Sequence, residues 1–204
     1  MKIIQEQTDS HLSFYQFLEN LPDEAGDYEL VNEQIVRRRP TRNHDDIADA
    51  ITDTLRQYIR QHQENFHVSG RIFIRTETSS GVQQGRHPDV VVVNRRRWEE
   101  SPMAPSALLD PPQLAVEVVS TNWEDDYVDK FEEYQRFAIP EYWIVDYLAV
   151  GSRQYLGNPK EPTLFICTLQ EDNTYKMAGY RWGDRLKSST FPQLDITVEN
   201  LCNL

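Results

Sequence analysis

Residues 114–119 read Leu114-Ala115-Val116-Glu117-Val118-Val119, an apolar run interrupted by a single carboxylate. Residues 141–146 read Glu141-Tyr142-Trp143-Ile144-Val145-Asp146, and a helical pattern spans about 123–137 between the two runs. Continuous apolar runs of this length are typical of strands covered on both faces. A strand, a helix and a second strand in this order predict a right-handed crossover and a parallel strand pair. This part of the chain therefore predicts an α/β fold.

A second acidic residue begins the preceding strand, which reads His87-Pro88-Asp89-Val90-Val91-Val92-Val93. A charge next to buried apolar residues is costly unless something compensates it. Two carboxylates at strand ends can share a divalent cation, and oxygen donors suit Mg²⁺, with Mn²⁺ as a substitute. We therefore predict Asp89 and Glu117 as metal ligands, with the backbone carbonyl near Val118 as a further donor. An ordinary turn role for Asp89 is the alternative.

A lysine completes the predicted site. Many metal-dependent nucleases carry this lysine two residues after the second acid, but here that position is Val119. Lys130 lies on the apolar side of the helix at 123–137, near Tyr134, so it faces the sheet. Its ammonium group could stabilise negative charge developing on a phosphate. The alternative is a purely structural Glu117–Lys130 ion pair.

Composition limits the classes of protein. The 204 residues fit one domain, 39% of them are hydrophobic, and no apolar run approaches the roughly 20 residues needed to span a bilayer. Residues 1–7 lack a signal-peptide pattern, so a cytoplasmic location is expected. Cys167 and Cys202 predict neither a disulfide framework nor a zinc site.

The charge distribution argues against nucleic-acid binding, because the net charge is -12 and polyanion affinity comes largely from basic residues. The positive charge is nevertheless clustered, at Arg37-Arg38-Arg39 with Arg42 and at Arg95-Arg96-Arg97. Solvated surface is the first interpretation of both clusters. Phosphate contact beside the active site is the alternative, with Arg95, Arg96 and Arg97 as the candidates.

The remaining segments predict further elements. A short helix from Ser13 to Leu18, capped by Ser13, precedes a hairpin that turns at Asn32-Glu33. Isoleucine and leucine recurring every fourth residue predict a helix over 43–61 that packs across the sheet. Strands are expected at 71–75, 163–169, 175–182 and in the final segment 191–201, a turn or hairpin loop at 81–85, and irregular chain over much of 98–112.

The motifs around Asp89, Glu117, Lys130 with Tyr134, and Pro140 to Asp146 together resemble a large bacterial family of restriction-endonuclease-like proteins. That family is a domain of unknown function within the PD-(D/E)xK nuclease superfamily. The resemblance covers roughly residues 13–201 and includes an opening motif at residues 28–31 and a closing motif at residues 191–194.

The resemblance implies a restriction-endonuclease-like mixed central sheet flanked by helices, with additional N- and C-terminal strands. It implies Asp89 and Glu117 as ligands, Lys130 as the displaced lysine, and Glu29 and His44 as additional site residues. For His44 the alternative is a helix-capping or packing role, and Asp146 is expected to be structural. We expect one domain over 1–204, with an N-terminal extension at 1–40, a core at 41–150 and C-terminal strands at 151–204.

The predicted function is Mg²⁺-dependent hydrolysis of DNA phosphodiester bonds. A homodimer is expected, because two symmetry-related sites can cut both strands. The alternative is a nuclease-fold protein that does not cut and acts in binding or assembly. A glycosidase that uses the two carboxylates ranks well behind both.

Overall fold

The structure, a computed structural model, describes residues 11–202; the segment 1–7, on which the missing export signal was predicted, lies outside this range. The helices are α1 (Phe14–Glu19), α2 (Arg42–His62), α3 (Arg95–Glu99), α4 (Lys130–Arg136), α5 (Arg153–Leu156) and α6 (Val198–Cys202). The strands are β1 (Asp27–Val31), β2 (Gln34–Arg38), β3 (Phe66–Ser69), β4 (Phe73–Glu77), β5 (Gln83–Arg86), β6 (Val90–Asn94), β7 (Ala107–Leu108), β8 (Leu114–Val118), β9 (Glu141–Asp146), β10 (Thr163–Leu169) and β11 (Tyr175–Arg181).

A six-stranded mixed sheet forms the centre of the fold, in the order β11-β10-β9-β8-β6-β3. Strands β8 and β9 pair in parallel, as the strand–helix–strand pattern predicted, and the other neighbours in this sheet pair antiparallel. Every residue of β8 and β9 is buried, which confirms that both strands are covered on both faces. The α/β fold class is confirmed.

A second sheet has five strands in the order β2-β1-β5-β4-β7. The β1–β2 hairpin turns at Asn32 and Glu33, both with positive φ, as predicted. The hairpin loop predicted at 81–85 is wrong in its position, because β5 begins at Gln83. Its inward residues Gln84 and Arg86 are polar and buried, so the strand lacks the apolar alternation by which strands are recognised.

Two apolar cores lie on opposite faces of the six-stranded sheet. Helix α2 packs on one face through Ile47, Ile51 and Leu55, among others, together with Val116 and Trp143. The opposite face buries Ala115 and Val119 with aromatic side chains of the segment that ends in α4. Because side chains alternate along a strand, Glu117 lies on this second face, as the sequence predicted.

The helix predicted at 123–137 is interrupted by a π-helical turn, Asp125–Asp129, before α4 begins at Lys130. A π-turn is an insertion within a helix, and the 3.6-residue pattern does not reveal it. Asp126, Tyr127, Lys130, Glu133 and Tyr134 are all buried. The π-helical turn and α4 therefore share a buried face that contains charged side chains.

The strand expected at 191–201 is wrong. This segment contains turns and α6, and its one strand-like contact is an isolated bridge between Arg185 and Thr197. The segment packs into the core through Phe191, Leu194, Val198 and Leu201. The turn that precedes it is held by the buried carboxylate of Glu141, which accepts hydrogen bonds from the backbone N–H groups of Ser189 and Thr190. Between residues 11 and 202, no helix is long and apolar enough to cross a membrane.

Candidate active site

One polar cavity of about 680 Å³ opens beside the end of β8, between α2, β1 and the loop that precedes β6. Its walls include all five residues that the sequence analysis placed at the site by side chain. These are Glu29 on β1, His44 in the first turn of α2, Asp89 before β6, Glu117 on β8 and Lys130 at the start of α4. The structure thus brings together residues that are distant in sequence.

Asp89 is held by contacts on one of its carboxylate oxygens. Oδ2 accepts a hydrogen bond from the Val118 N–H at 2.6 Å and lies 3.2 Å from Nε2 of His44. His44 is itself fixed by the capping of α2, where Thr41 Oγ1 accepts a hydrogen bond from the His44 N–H. The Asp89 side chain remains about 20% exposed, so it keeps access to the cavity.

Glu117 and Lys130 form the floor of the cavity, and each side chain is at most 3% exposed. Lys130 Nζ lies 2.8 Å from Glu117 Oε2, and Tyr134 donates a hydrogen bond to Glu117 Oε1 at 2.6 Å. The Lys130 ammonium group also lies 3.2 Å from Asp126 and 3.4 Å from Glu29. The predicted approach of Lys130 to Glu117 is therefore present, within a larger cluster of charges.

Glu29 connects this cluster to two arginines. Arg86 Nη1 and Arg38 Nη1 lie 3.3 Å and 3.4 Å from Glu29 Oε2. Arg86 also forms a bidentate pair with Glu133, in which Nε donates to Oε2 at 2.8 Å and Nη2 donates to Oε1 at 2.6 Å. Because β5 carries Arg86 and α4 carries Glu133, this pair ties the helix of Lys130 to the five-stranded sheet.

Burial and neighbouring charges shift the pKa values of Glu117 and Glu29 in opposite directions. Burial raises the pKa of Glu117 to about 8, because Lys130 offsets only part of the effect and Asp89 adds to it. Burial opposes ionisation of Glu29 as well, yet Lys130 and Arg38 with Arg86 lower its pKa to about 2. These opposite shifts in pKa favour the ionised form of Glu29 and disfavour the ionised form of Glu117 when no cation is bound.

The two basic side chains beside the acids stay protonated. Burial alone lowers the pKa of Lys130, but Glu117, Glu29 and Asp126 raise it above its ordinary value. Burial also disfavours the charged form of His44, while its hydrogen bond to Asp89 and the charge of that residue raise its pKa to about 9. Both groups therefore enter the site as cations near neutral pH.

Asp126 and Arg86 are among the site residues that were missed from the sequence. Asp126 is buried beside Lys130, and burial raises its pKa to about 6 against the lowering effect of Lys130 and Arg38. Its position four residues before Lys130 was a usable signal, because helical residues at this spacing are neighbours. Arg86 was missed because its strand was interpreted as a loop.

The triple-arginine run does not line this cavity. Arg95 donates to the Phe66 carbonyl at 2.8 Å and lies 3.7 Å from Glu99, and Arg97 pairs with Asp110. Asp146 also lies outside the cavity, where it accepts hydrogen bonds from Tyr127 and two backbone N–H groups, consistent with the structural role expected of it.

The donor set fits a hard divalent cation. Asp89 and Glu117 supply carboxylate oxygens to one cavity, and Asp89 raises the pKa of Glu117, a repulsion that a bound cation would relieve. Across residues 11–202, no three His, Cys, Asp or Glu side chains already converge as a metal site. Any further ligands would therefore be backbone carbonyl oxygens, water or substrate oxygens.

The fold and the site define a nuclease-like α/β protein with two acids and a lysine at the edge of a mixed sheet. The family model of Uma2, described as "Putative restriction endonuclease", matches residues 14–199, and the chain belongs to this family. This confirms the family resemblance of the sequence motifs.

A solved structure has the same fold. It is the crystal structure of "a putative nuclease belonging to DUF820" from Anabaena variabilis, with a TM-score of 0.67 and 17% sequence identity. The superposition covers 93% of this chain and 96% of the other. No curated protein sequence matches the chain significantly.

Proposed function

We propose that this protein is a Mg²⁺-dependent endonuclease that hydrolyses DNA phosphodiester bonds. The observation that carries the proposal is the meeting of Asp89, Glu117 and Lys130 in one polar cavity, on a fold shared with a nuclease family. The chemistry fits, because carboxylate pairs hold the cations that phosphoryl hydrolysis uses and an ammonium group stabilises developing negative charge.

Asp89 and Glu117 would hold Mg²⁺ or Mn²⁺, with the backbone carbonyl near Val118 as a further donor. When bound, such a cation polarises the phosphate and lowers the pKa of a coordinated water molecule. His44 and the Val118 N–H keep the Asp89 carboxylate in place, and Tyr134 orients Glu117. Glu117 must be deprotonated to act as a ligand.

Lys130 is the proposed electrostatic group. Its ammonium remains protonated among three carboxylates, so it can donate to a phosphate oxygen or to the attacking water. Glu29 and Asp126 fix the direction of the side chain. Since Lys130 extends from a helix, its position depends on the contact that joins α4 to β5.

Activity can be tested on supercoiled plasmid with Mg²⁺ or Mn²⁺. We expect Asp89→Ala and Glu117→Ala to lose at least a hundredfold in cleavage rate, and Glu171→Ala, at an exposed acid outside the cavity, to keep full activity. Equal cleavage by wild type and both site variants would contradict the assignment, since contaminating nuclease would then account for the cutting.

A second function is favoured by one observation. Three carboxylates already surround the Lys130 ammonium, and a structural ion-pair cluster would look the same. The protein would then be a binding or assembly module on a nuclease fold. Titration calorimetry with Mn²⁺ separates the two, because the enzyme requires cation binding that Asp89→Ala and Glu117→Ala each abolish.

The proposal also includes an oligomeric state and a cellular location. A homodimer would present two sites to opposite DNA strands, and a cytoplasmic location would give access to DNA. Analytical ultracentrifugation tests the first of these predictions directly.

A further inference from the structure

The wall of the active-site cavity carries four arginines in a protein of net charge -12. Arg38 ends β2, Arg39 follows it, Arg56 lies on α2, and Arg71 lies between β3 and β4. A local group of arginines around a candidate phosphodiester site is the charge distribution that a polyanionic substrate requires.

Two of these arginines are already engaged within the protein. Arg38 pairs with Glu29 and Asp125, and Arg56 lies 3.7 Å from Asp53 and donates to the Val68 carbonyl at 3.2 Å. Arg39 and Arg71 differ. Both are exposed, and within the described residues neither has a carboxylate oxygen within 4.0 Å. We call this pair, Arg39 and Arg71, the cavity-mouth arginines.

The backbone of Arg71 is fixed next to Asp89, whereas its side chain is exposed. A Cβ at the preceding Gly70 would lie 2.5 Å from the Asp89 carbonyl oxygen, so the loop packs directly on the backbone of the metal-ligand candidate. The Arg71 N–H donates to Ser69 Oγ at 3.1 Å, and the Arg71 carbonyl accepts from Ser106. An anchored backbone with an exposed guanidinium that pairs with no carboxylate of residues 11–202 suits capture of an external anion.

Arg39 is anchored from the other end of the site. Its neighbour Arg38 is bound inside the cavity by Glu29, and two residues later Thr41 caps α2. The cavity-mouth arginines therefore belong to separate elements, so each can contact a different phosphate. The same wall also carries three exposed or half-exposed acids, Asp27, Asp45 and Asp49, which repel a polyanion, so that phosphate binding there depends on the cavity-mouth arginines.

We propose that Arg39 and Arg71 bind the backbone phosphates of DNA on the two sides of the phosphate to be cut. The inference rests on the proposed nuclease function and extends it to substrate binding. It replaces the predicted contacts Arg95, Arg96 and Arg97, none of which lines this cavity; Arg95 and Arg97 are engaged by Glu99 and Asp110. Guanidinium groups match phosphate oxygens in geometry and charge.

The test measures DNA binding by fluorescence anisotropy in EDTA, which separates binding from cleavage. For Arg39→Gln/Arg71→Gln we expect at least a tenfold weaker Kd for a labelled duplex. The slope of log Kd against the logarithm of the salt concentration should be smaller than that of wild type by roughly two, because each phosphate contact contributes about 0.9 to it. Arg95→Gln/Arg97→Gln removes the same charge and should leave both quantities unchanged. Mn²⁺ binding by calorimetry, unaffected in both variants, shows that each is folded.

The outcomes distinguish the two proposals. Cleavage and DNA binding that survive intact in Arg39→Gln/Arg71→Gln overturn the role of the cavity-mouth arginines and leave the nuclease proposal standing. Equal weakening by Arg95→Gln/Arg97→Gln also overturns that role, because net charge alone would then explain the effect. Salt-dependent binding lost only in the Arg39 and Arg71 variant, without cleavage in any metal, supports the binding site and refutes the nuclease.

Discussion

Replacing Lys130 by methionine removes a cation that contacts three buried carboxylates. Its ammonium lies 2.8 Å from Glu117, 3.2 Å from Asp126 and 3.4 Å from Glu29, and its side chain is about 1% exposed. Removing one partner of a buried ion pair costs about 3–5 kcal/mol, because the remaining charge is left without compensation. We expect Lys130→Met to lower the free energy of unfolding by about that amount in EDTA at pH 8.

The penalty should shrink as the pH falls. Glu117 and Asp126 have pKa values of about 8 and 6 with the lysine present, and Lys130 holds both values down. Without the lysine both acids take up protons at higher pH, so the variant relieves its excess negative charge by protonation. The difference from wild type should therefore be smaller at pH 5.5 than at pH 8.

Divalent cations should reverse part of the loss. A cation at a hundred times its Kd adds about 2.7 kcal/mol to the stability of any folded protein that binds it. Because a cation takes over the compensating role of the lysine, Mn²⁺ should stabilise Lys130→Met more than wild type while plasmid cleavage stays at least a hundredfold reduced.

The assay is urea unfolding followed by tryptophan fluorescence, with buried Trp143 among the reporters. Lys187→Met, at an exposed lysine outside the cavity, is the matched control and should remain within about 0.5 kcal/mol of wild type. A Lys130→Met protein as stable as wild type in EDTA would refute the compensating role of the ammonium group.

Two further predictions concern the pocket around Asp89. The pKa of His44 is raised from 6.5 to about 9, so its stabilising contribution, about 1–3 kcal/mol, is fully present below pH 6.5 and is lost as the pH rises through 9. In EDTA, thermal melts of His44→Gln should lack this decline, and an unchanged pH profile would contradict it. Gly70→Ala places a Cβ 2.5 Å from the Asp89 carbonyl and should lower the cleavage rate at least tenfold. Gly81→Ala, strained at φ +82° but in open space, should retain the rate and lose about 1 kcal/mol of stability, whereas equal cleavage by both variants would exclude a role for the Gly70 contact.

The central strands could be predicted from the sequence because burial on both faces leaves a continuous apolar signal. Strands β8 and β9 were predicted to within one residue of their bounds, and their parallel pairing followed from the crossover rule. Strand β5 could not be predicted in this way. Its buried residues are polar and are satisfied by Glu29 and Glu133, contacts that depend on the tertiary fold.

The site residues also differ in how far the sequence reveals them. The acids Asp89 and Glu117 stand out because a charge beside buried valines needs a reason, and Lys130 stands out because it lies on an apolar helix face. Arg86 carries no such local contrast, and Asp126 was indicated only by its spacing of four residues from Lys130. For phosphate contact the sequence offered Arg95, Arg96 and Arg97 as the candidates. Only the folded chain shows that Arg39 and Arg71 line the cavity and that the run at 95–97 does not.

Lys130 reaches the acids from a helix. It lies thirteen residues after Glu117 and eleven residues after Val119, the position at which a lysine on the strand would stand. The chemistry of such a centre needs the amine at a location in space, and a chain can supply it from a strand or from a helix. Searches that demand acid and lysine two residues apart would pass over proteins built this way, whereas a comparison of charged atoms around the cleft would recover them.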